Sequence, residues 1–332
     1  MPAPERTEPT VLVTGGAGYV GSHACKALHQ AGFRPVVLDD LSRGFRRAVR
    51  WGPLVEASLA DGAAVSAALA EWRPVAVMHF AALAYVGESM ADPGLYYRAN
   101  VANTLNLLQA MVAADVRRIV FSSTCATYGD PIRVPIAEDH PQRPVNPYGE
   151  TKLAVERMLH WFGQCHGLGW GALRYFNAAG ADPDGEIGEN HQPETHLIPL
   201  AIEAAQGGPP LRIFGTDYPT PDGTAIRDYI HVADLADAHV RSLGHLLADG
   251  GSHALNLGTG TGHSVRAVVD AVSRRTNREV PTVLAPRRAG DPPALVADPS
   301  EARKLLGWQP ACSDMTTIVE TAWRWHSATP TA

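Results

Sequence analysis

An α/β fold is predicted: a doubly wound parallel sheet with a smaller C-terminal α/β domain. Three observations carry this. Apolar β-branched runs alternate with longer stretches of helical periodicity through the first half. The first run enters a glycine-rich turn that opens a helix. After Tyr175 the pattern changes to Gly-, Pro- and acid-rich loops between shorter elements.

Strands are read over 11–14, 35–39, 75–80, 118–123 and 172–175, with helices over 21–31, 65–71, 103–113 and 152–162. Strand, helix and strand in series require parallel pairing and right-handed crossovers, which place helices on both faces. Downstream, 181–194 and 217–223 read as loops. Helices follow over 198–206, 234–247 and 264–274, and strands over 211–214 and 253–257. The division is a lead-in over 1–9, a dinucleotide-binding domain over 10–176 and mainly a substrate domain over 177–328. Some segments of the last are free to rejoin the first sheet.

With 332 residues the chain can bury a large core. A net charge of −6 gives no nucleic-acid footprint, and the Arg43, Arg46, Arg47 and Arg50 cluster reads as a solvated face. No apolar run is long enough for a membrane span, and the opening residues lack the apolar core of a leader. Cys25, Cys125, Cys165 and Cys312 are scattered, which suits a reducing cytoplasm and no disulfide framework. The histidines show no standard metal spacing, so no metal site is expected.

The segment from Val11 to His23 runs strand, glycine turn, helix, with Gly15, Gly16, Gly18 and Gly21 in the turn. Glycines allow the backbone to approach a pyrophosphate, and the helix start supplies N–H groups and a positive dipole end. This is the mark of a Rossmann dinucleotide site. Asp39 ends the second strand, where a carboxylate holds ribose hydroxyls and repels a 2′-phosphate. NAD is therefore expected over NADP, although Arg43 lies nearby.

Tyr148 and Lys152 stand four residues apart and share a helix face. A phenol ionises near pH ~10, and a fixed cation favours the phenolate. The pair is an acid/base device for an alcohol that becomes a ketone. Ser122, Ser123 and Thr124 end the strand before them, and their hydroxyls are expected near the cofactor.

These segments resemble the extended short-chain dehydrogenase/reductase family, and within it the branch of UDP-glucose 4-epimerases. The resemblance runs from about Thr10 to about Trp325. It rests on the glycine turn, on 80–89, on Asn100-Val101, on 173–180, on 215–224 and on Arg227-Asp228-Tyr229-Ile230-His231-Val232. It implies that Tyr148 takes the sugar 4-hydroxyl proton while C4 passes hydride to NAD. Thr124 relays that proton, Lys152 holds the nicotinamide ribose, and the 4-keto sugar turns before hydride returns to its other face. Members of this branch interconvert UDP-galactose and UDP-glucose, a step of galactose metabolism, as homodimers.

By the same resemblance NAD is held by Gly15, Gly18, Tyr19, Val20, Asp39, Asp40, Leu41, Ser42, Gly44, Ser58, Leu59, Phe80, Ala81, Ala82, Ala84, Asn100, Ser122, Tyr148, Lys152 and Tyr175. The UDP-sugar falls to Thr124, Tyr148, Phe176, Asn177, His196, Leu197, Arg212, Phe214, Arg227, Tyr229, Arg288, Asp291 and Leu295. Arg227 and Arg288 suit a diphosphate, and Phe214 and Tyr229 offer flat faces to uracil. Ser58 and Ala84 depart from the branch, where an adenine-contacting Asp and a pyrophosphate-binding Lys often stand. Leu295 sits at the sugar gate, intermediate between a blocking Tyr and a small residue, so N-acetylated sugars are expected at reduced rate. Cys125 and Ala126 also resemble UDP-pentose 4-epimerases. A 4,6-dehydratase would need an acid and a base where Cys125-Ala126 stand. A non-catalytic NAD sensor would need no Tyr148, Lys152 and Thr124.

Overall fold

A computed structural model describes residues 8–288 and 290–328. The first sheet is built from β1 (Thr10–Thr14), β2 (Arg34–Asp39), β3 (Leu54–Glu56), β4 (Ala76–His79), β5 (Arg118–Thr124) and β6 (Gly169–Tyr175). Its helices are α1 (Tyr19–Gln30), α2 (Gly62–Trp72), α3 (Val86–Ala91), α4 (Pro93–Tyr96), α5 (Asn103–Ala113) and α6 (Pro147–His166). Then come β7 (Asn177–Ala179), α7 (Leu197–Ala205), β8 (Leu211–Phe214), β9 (Ile226–His231), α8 (Val232–Leu247), β10 (His253–Leu257), β11 (Gly262–Ser264) and α9 (Val265–Thr276). The chain closes with β12 (Thr282–Ala285), β13 (Ala294–Leu295), α10 (Ser300–Leu306) and α11 (Met315–Ala328).

Seven strands pair in the order β3-β2-β1-β4-β5-β6-β10, all parallel. β10 thus comes back from the downstream half, with Leu255 opposite Leu173. Successive side chains point to opposite faces of a strand. Val11 and Val13 pack with Ala24, Leu28, Leu235 and Leu243 under α1 and α8, while Leu12 packs with Val65, Leu69, Leu107 and Leu159 on the other face. The β7–β9–β11–β13 and β8–β12 groups form small satellite sheets, and α7, α9 and α11 enclose a third core around Ile202, Val272 and Ile318.

The expected strands and helices are present, with shifted ends. The largest shift is α6, which starts at Pro147 rather than 152. Asn146 caps it through Oδ1, which accepts from the Gly149 N–H at 2.8 Å, and Pro147 occupies the first turn. Tyr148 therefore lies in the first turn and Lys152 in the second. β3, β7, β9, β11, β12, β13, α3, α4, α10 and α11 were not among the expected elements; most are short, but β9 has six residues and α11 fourteen.

The order of strands reverses between β1 and β4. In open α/β sheets a ligand crevice forms at that switch point, beyond the carboxyl ends of the strands.

Candidate active site

One cavity of about 1490 Å³ runs from the glycine turn to β9 and β13. Small-molecule pockets commonly measure ~300–1,000 Å³, so this one has room for two nucleotide-sized ligands. All the residues expected at the site line it except Leu41, Asn100, Ser123 and Lys152.

Gly15 has φ +73, and a Cβ there would meet the Ala81 nitrogen at 2.5 Å. At Gly21 a Cβ would lie 2.2 Å from the Gly15 carbonyl, so turn and helix touch through glycine alone. Gly18 caps α1 with no side chain, and the first turn holds no acidic residue. That leaves the helix start open to an anion. We expect Gly21→Ala to lose NAD retention and about 1–3 kcal/mol of stability. Full NAD content by chromatography at the wild-type Tm would remove this argument.

Asp39 accepts from the Ala17 N–H and the Leu41 N–H, each at 2.9 Å. Burial raises its pKa, and these two donors oppose the rise. Leu41 contributes its backbone from behind the wall, while Asp40 accepts from Ser42. Arg43 is held by Glu88 at 2.6 Å and stacks on the Tyr85 ring. Its charge is thus engaged away from Asp39. Buried behind the cavity, Asn100 accepts from the Leu83 N–H at 2.8 Å and donates to the Leu83 carbonyl and Thr151 hydroxyl at 3.0 Å. Those bonds fix the 80–85 wall of the cavity from behind.

Tyr148, Thr124, Ser122 and Tyr175 meet midway along the cavity. Ser122 Oγ lies 2.8 Å from Tyr175 Oη. Ser123 is a correction: it points to the α6 face of the sheet and donates to Glu156 Oε1 at 2.5 Å. Strand alternation requires this, since Ser122 and Thr124 share one face and Ser123 takes the other. Lys152 Nζ donates to the Ser122 carbonyl at 2.9 Å and lies 6.0 Å from the centre of the Tyr148 ring.

The expected lowering of the Tyr148 pKa is not what this site gives. Burial pushes it well up, with Tyr175 adding to the rise and the Thr124 hydroxyl opposing it. Burial also lowers Lys152 to about 7, against the pull of Glu156. Desolvation is the largest cause at both groups. His79 behind them is buried and neutral, lowered to about 3, with its nitrogens 2.7 and 2.8 Å from the Thr14 and Thr104 hydroxyls.

At the far end Arg227 pairs with Asp291, and Asn177 Nδ2 donates to the Asp228 carbonyl at 3.0 Å. Phe214 is covered by guanidinium groups: Arg288 at 4.0 Å and Arg212 at 5.0 Å from the ring centre. The face expected for uracil is thus taken by cation–π contact. Tyr229 lines the cavity but packs into the core around Ala179 and Ile198. Leu295 lies opposite Arg227 in register and packs with Cys125 and Phe176, beside Thr124. Leu197 opens α7, with His196 as its cap residue.

Residues 11–258 match the NAD dependent epimerase/dehydratase family. The chain belongs to that family. A relative from Rhizobium leguminosarum bv. trifolii, named UDP-glucose 4-epimerase, is 54% identical over 96% of this chain and 97% of its own. The crystal structure of UDP-glucose 4-epimerase from Brucella ovis in complex with NAD superposes with a TM-score of 0.93. It is 53% identical over 95% of this chain and 97% of that one. A UDP-glucose 4-epimerase from Stenotrophomonas maltophila, with bound NAD and formylated UDP-arabinopyranose, gives a TM-score of 0.93. Its identity is 41% over 97% and 98% of the two chains.

The NAD of this epimerase/dehydratase family fits the residues present. The glycine cradle would be filled by any Cβ at Gly15 or Gly21, α1 starts uncapped, and Asp39 ends β2 at the cavity. Among the described residues no helix is long and apolar enough to cross a membrane.

Two groups escaped the sequence reading. Glu156 lies one helical turn beyond Lys152 and pairs with Arg174 on the face of β6 that α6 covers. Its signal was the i, i+4, i+8 series with Tyr148. The second is Glu189, His191 and Glu194, in a segment read only as loop, which gather with His196, expected only at the UDP-sugar. Its signal was Glu-x-His-x-x-Glu-x-His.

Proposed function

We propose that the protein is an NAD-dependent 4-epimerase that interconverts UDP-galactose and UDP-glucose. The observation that carries this reading is one cavity joining a glycine-turn cleft to Arg227 and Arg288, with Tyr148 and Thr124 between. Bound NAD supplies a reversible hydride acceptor and a positive ring charge. Tyr148 Oη takes the proton of the sugar 4-hydroxyl and later returns it, with the Thr124 hydroxyl holding the same oxygen. Lys152 fixes Ser122 through its carbonyl and adds charge to the site when protonated. Arg227 and Arg288 hold the diphosphate, so the nucleotide stays anchored while the sugar turns. The test is incubation of purified protein with UDP-galactose and no added NAD. UDP-glucose on the chromatogram is the expected product; none, even with NAD restored, would overturn the reading.

Leu295, packed beside Cys125 and Phe176, is the residue we assign to the sugar gate. Leu295→Ala is expected to raise the rate on UDP-N-acetylglucosamine about tenfold relative to UDP-glucose, the worth of a methylene or two of pocket space. Competition between the two sugars measures this, and an unchanged ratio would remove Leu295 from the gate. We also assign a homodimer to the α5–α6 face, where Trp161 is 63% and Leu105 37% exposed. Light scattering at micromolar concentration should return twice the chain mass; a monomer refutes it.

A further inference from the structure

Four metal-ligating side chains converge in the segment between β7 and α7. The donor atoms of Glu189, His191, Glu194 and His196 all lie within 4.8 Å of one another. The Glu189 side chain is 3% exposed and its Oε1 faces both imidazoles: His191 Nδ1 at 3.0 Å and His196 Nδ1 in closer contact. Glu194 Oε1 lies 3.8 Å from each of the same two nitrogens. His191 Nδ1 is buried and makes no hydrogen bond, despite its distance to Glu189. Its approach is off the line that an N–H would need, while its position still aims at the centre of the group.

Two readings compete. Two imidazolium ions could balance two carboxylates, but their rings lie 5.1 Å apart and two such charges repel. A single divalent ion would accept both nitrogen lone pairs and both carboxylates without that repulsion. The surroundings favour a cation: the carboxylates of Glu189 and Glu194 both face the two imidazole nitrogens. Two imidazoles with two carboxylates match zinc among the common ions, and thiolates are absent from the group.

The supports are also built. The Glu189 carbonyl accepts from Trp325 Nε1 of α11 at 2.8 Å. Glu194 Oε1 is oriented by the N–H groups of Thr195 and His196 at 2.7 and 2.8 Å. The rings of Tyr19 and Tyr85 stand edge-on to His191. An ion here would tie the cavity wall over 186–196, and so the start of α7, to α1 and α11. With four protein ligands it is a structural site, since a catalytic zinc keeps a position open. We propose that Glu189, His191, Glu194 and His196 form a zinc site that pins this wall of the cavity. The proposal does not depend on the reaction assigned above.

The test uses untagged full-length protein, stripped with EDTA, dialysed against Zn²⁺ and passed over a desalting column. Elemental analysis is expected to find about one Zn²⁺ per chain. In the double variant His191→Ala/Glu194→Ala this should fall at least tenfold. Zn²⁺ should raise the Tm of the stripped wild type and leave that of the variant unchanged. Titration with Co²⁺ should produce visible absorption bands that Zn²⁺ abolishes, and it needs no variant should the double substitution not fold. Wild type without bound Zn²⁺ and without a Co²⁺ spectrum would overturn the proposal. So would a folded variant that keeps the wild-type stoichiometry.

Discussion

Tyr148→Phe is expected to lower kcat about a thousandfold, within the range a positioned acid or base contributes. KM for the UDP-sugar, bound NAD and the Tm should stay close to wild type. Phenylalanine keeps the ring, which is buried and edge-on to Tyr96 in the first turn of α6. Only the hydroxyl is removed, and with it the group that exchanges the proton of the sugar 4-hydroxyl. Burial raises the pKa of the phenol in this structure and lowers that of Lys152 to about 7. Lys152→Met should act differently: it removes the hold on the Ser122 carbonyl, so both NAD retention and kcat fall. Should Tyr148→Phe keep more than about a tenth of kcat, another group carries the proton and the assignment fails.

The parts of this site visible in the sequence are those where a local rule leaves few choices. A turn that brings the Gly15 carbonyl within 2.2 Å of the next turn's Cβ position admits only glycine at 21, so it announces itself. Tyr148 and Lys152 declare a shared face through spacing alone. The start of α6 was also written in Asn146-Pro147, a cap and a first-turn proline, and reading from the periodicity missed it. Three consecutive hydroxyls cannot share a face of β5, so Ser123 turns to Glu156 while Ser122 and Thr124 face the cavity. The remainder depends on long-range contact. Nothing near residue 100 says that Asn100 serves Leu83 and Thr151, or near residue 253 that β10 will seek β6. Burial is the other hidden term: its effect on Tyr148 and Lys152 appears only once the sheet and α6 close over them.

Arg174→Met is expected to destabilise the protein by about 3–5 kcal/mol, the penalty for leaving one partner of a buried ion pair alone. Both side chains are 7% exposed. Arg174 Nε and Nη2 donate to the Glu156 carboxylate at 3.0 and 2.6 Å, and Nη1 donates to Tyr128 Oη at 2.9 Å. Tyr128 in turn donates to Asn256 Oδ1 at 2.7 Å, and Asn256 to the Ile136 carbonyl at 2.8 Å. Burial works against the guanidinium charge, and Glu156 and Tyr128 outweigh it. Without Arg174, Glu156 keeps only Ser123 and Gln142 as donors. Because a well-packed apolar pair can replace a buried ion pair at little cost, Arg174→Met/Glu156→Leu should recover more than half of the loss. The network also has a functional reach: Glu156 is two turns along α6 from Tyr148, and Arg174 precedes Tyr175 on β6. Loosening it should lower kcat in the single variant through misplaced Tyr148, with partial return in the double. Urea midpoints at saturating NAD measure the stability, and a double-mutant cycle gives the coupling. Single and double variants that all unfold at the wild-type midpoint would show that α6 is held without this pair.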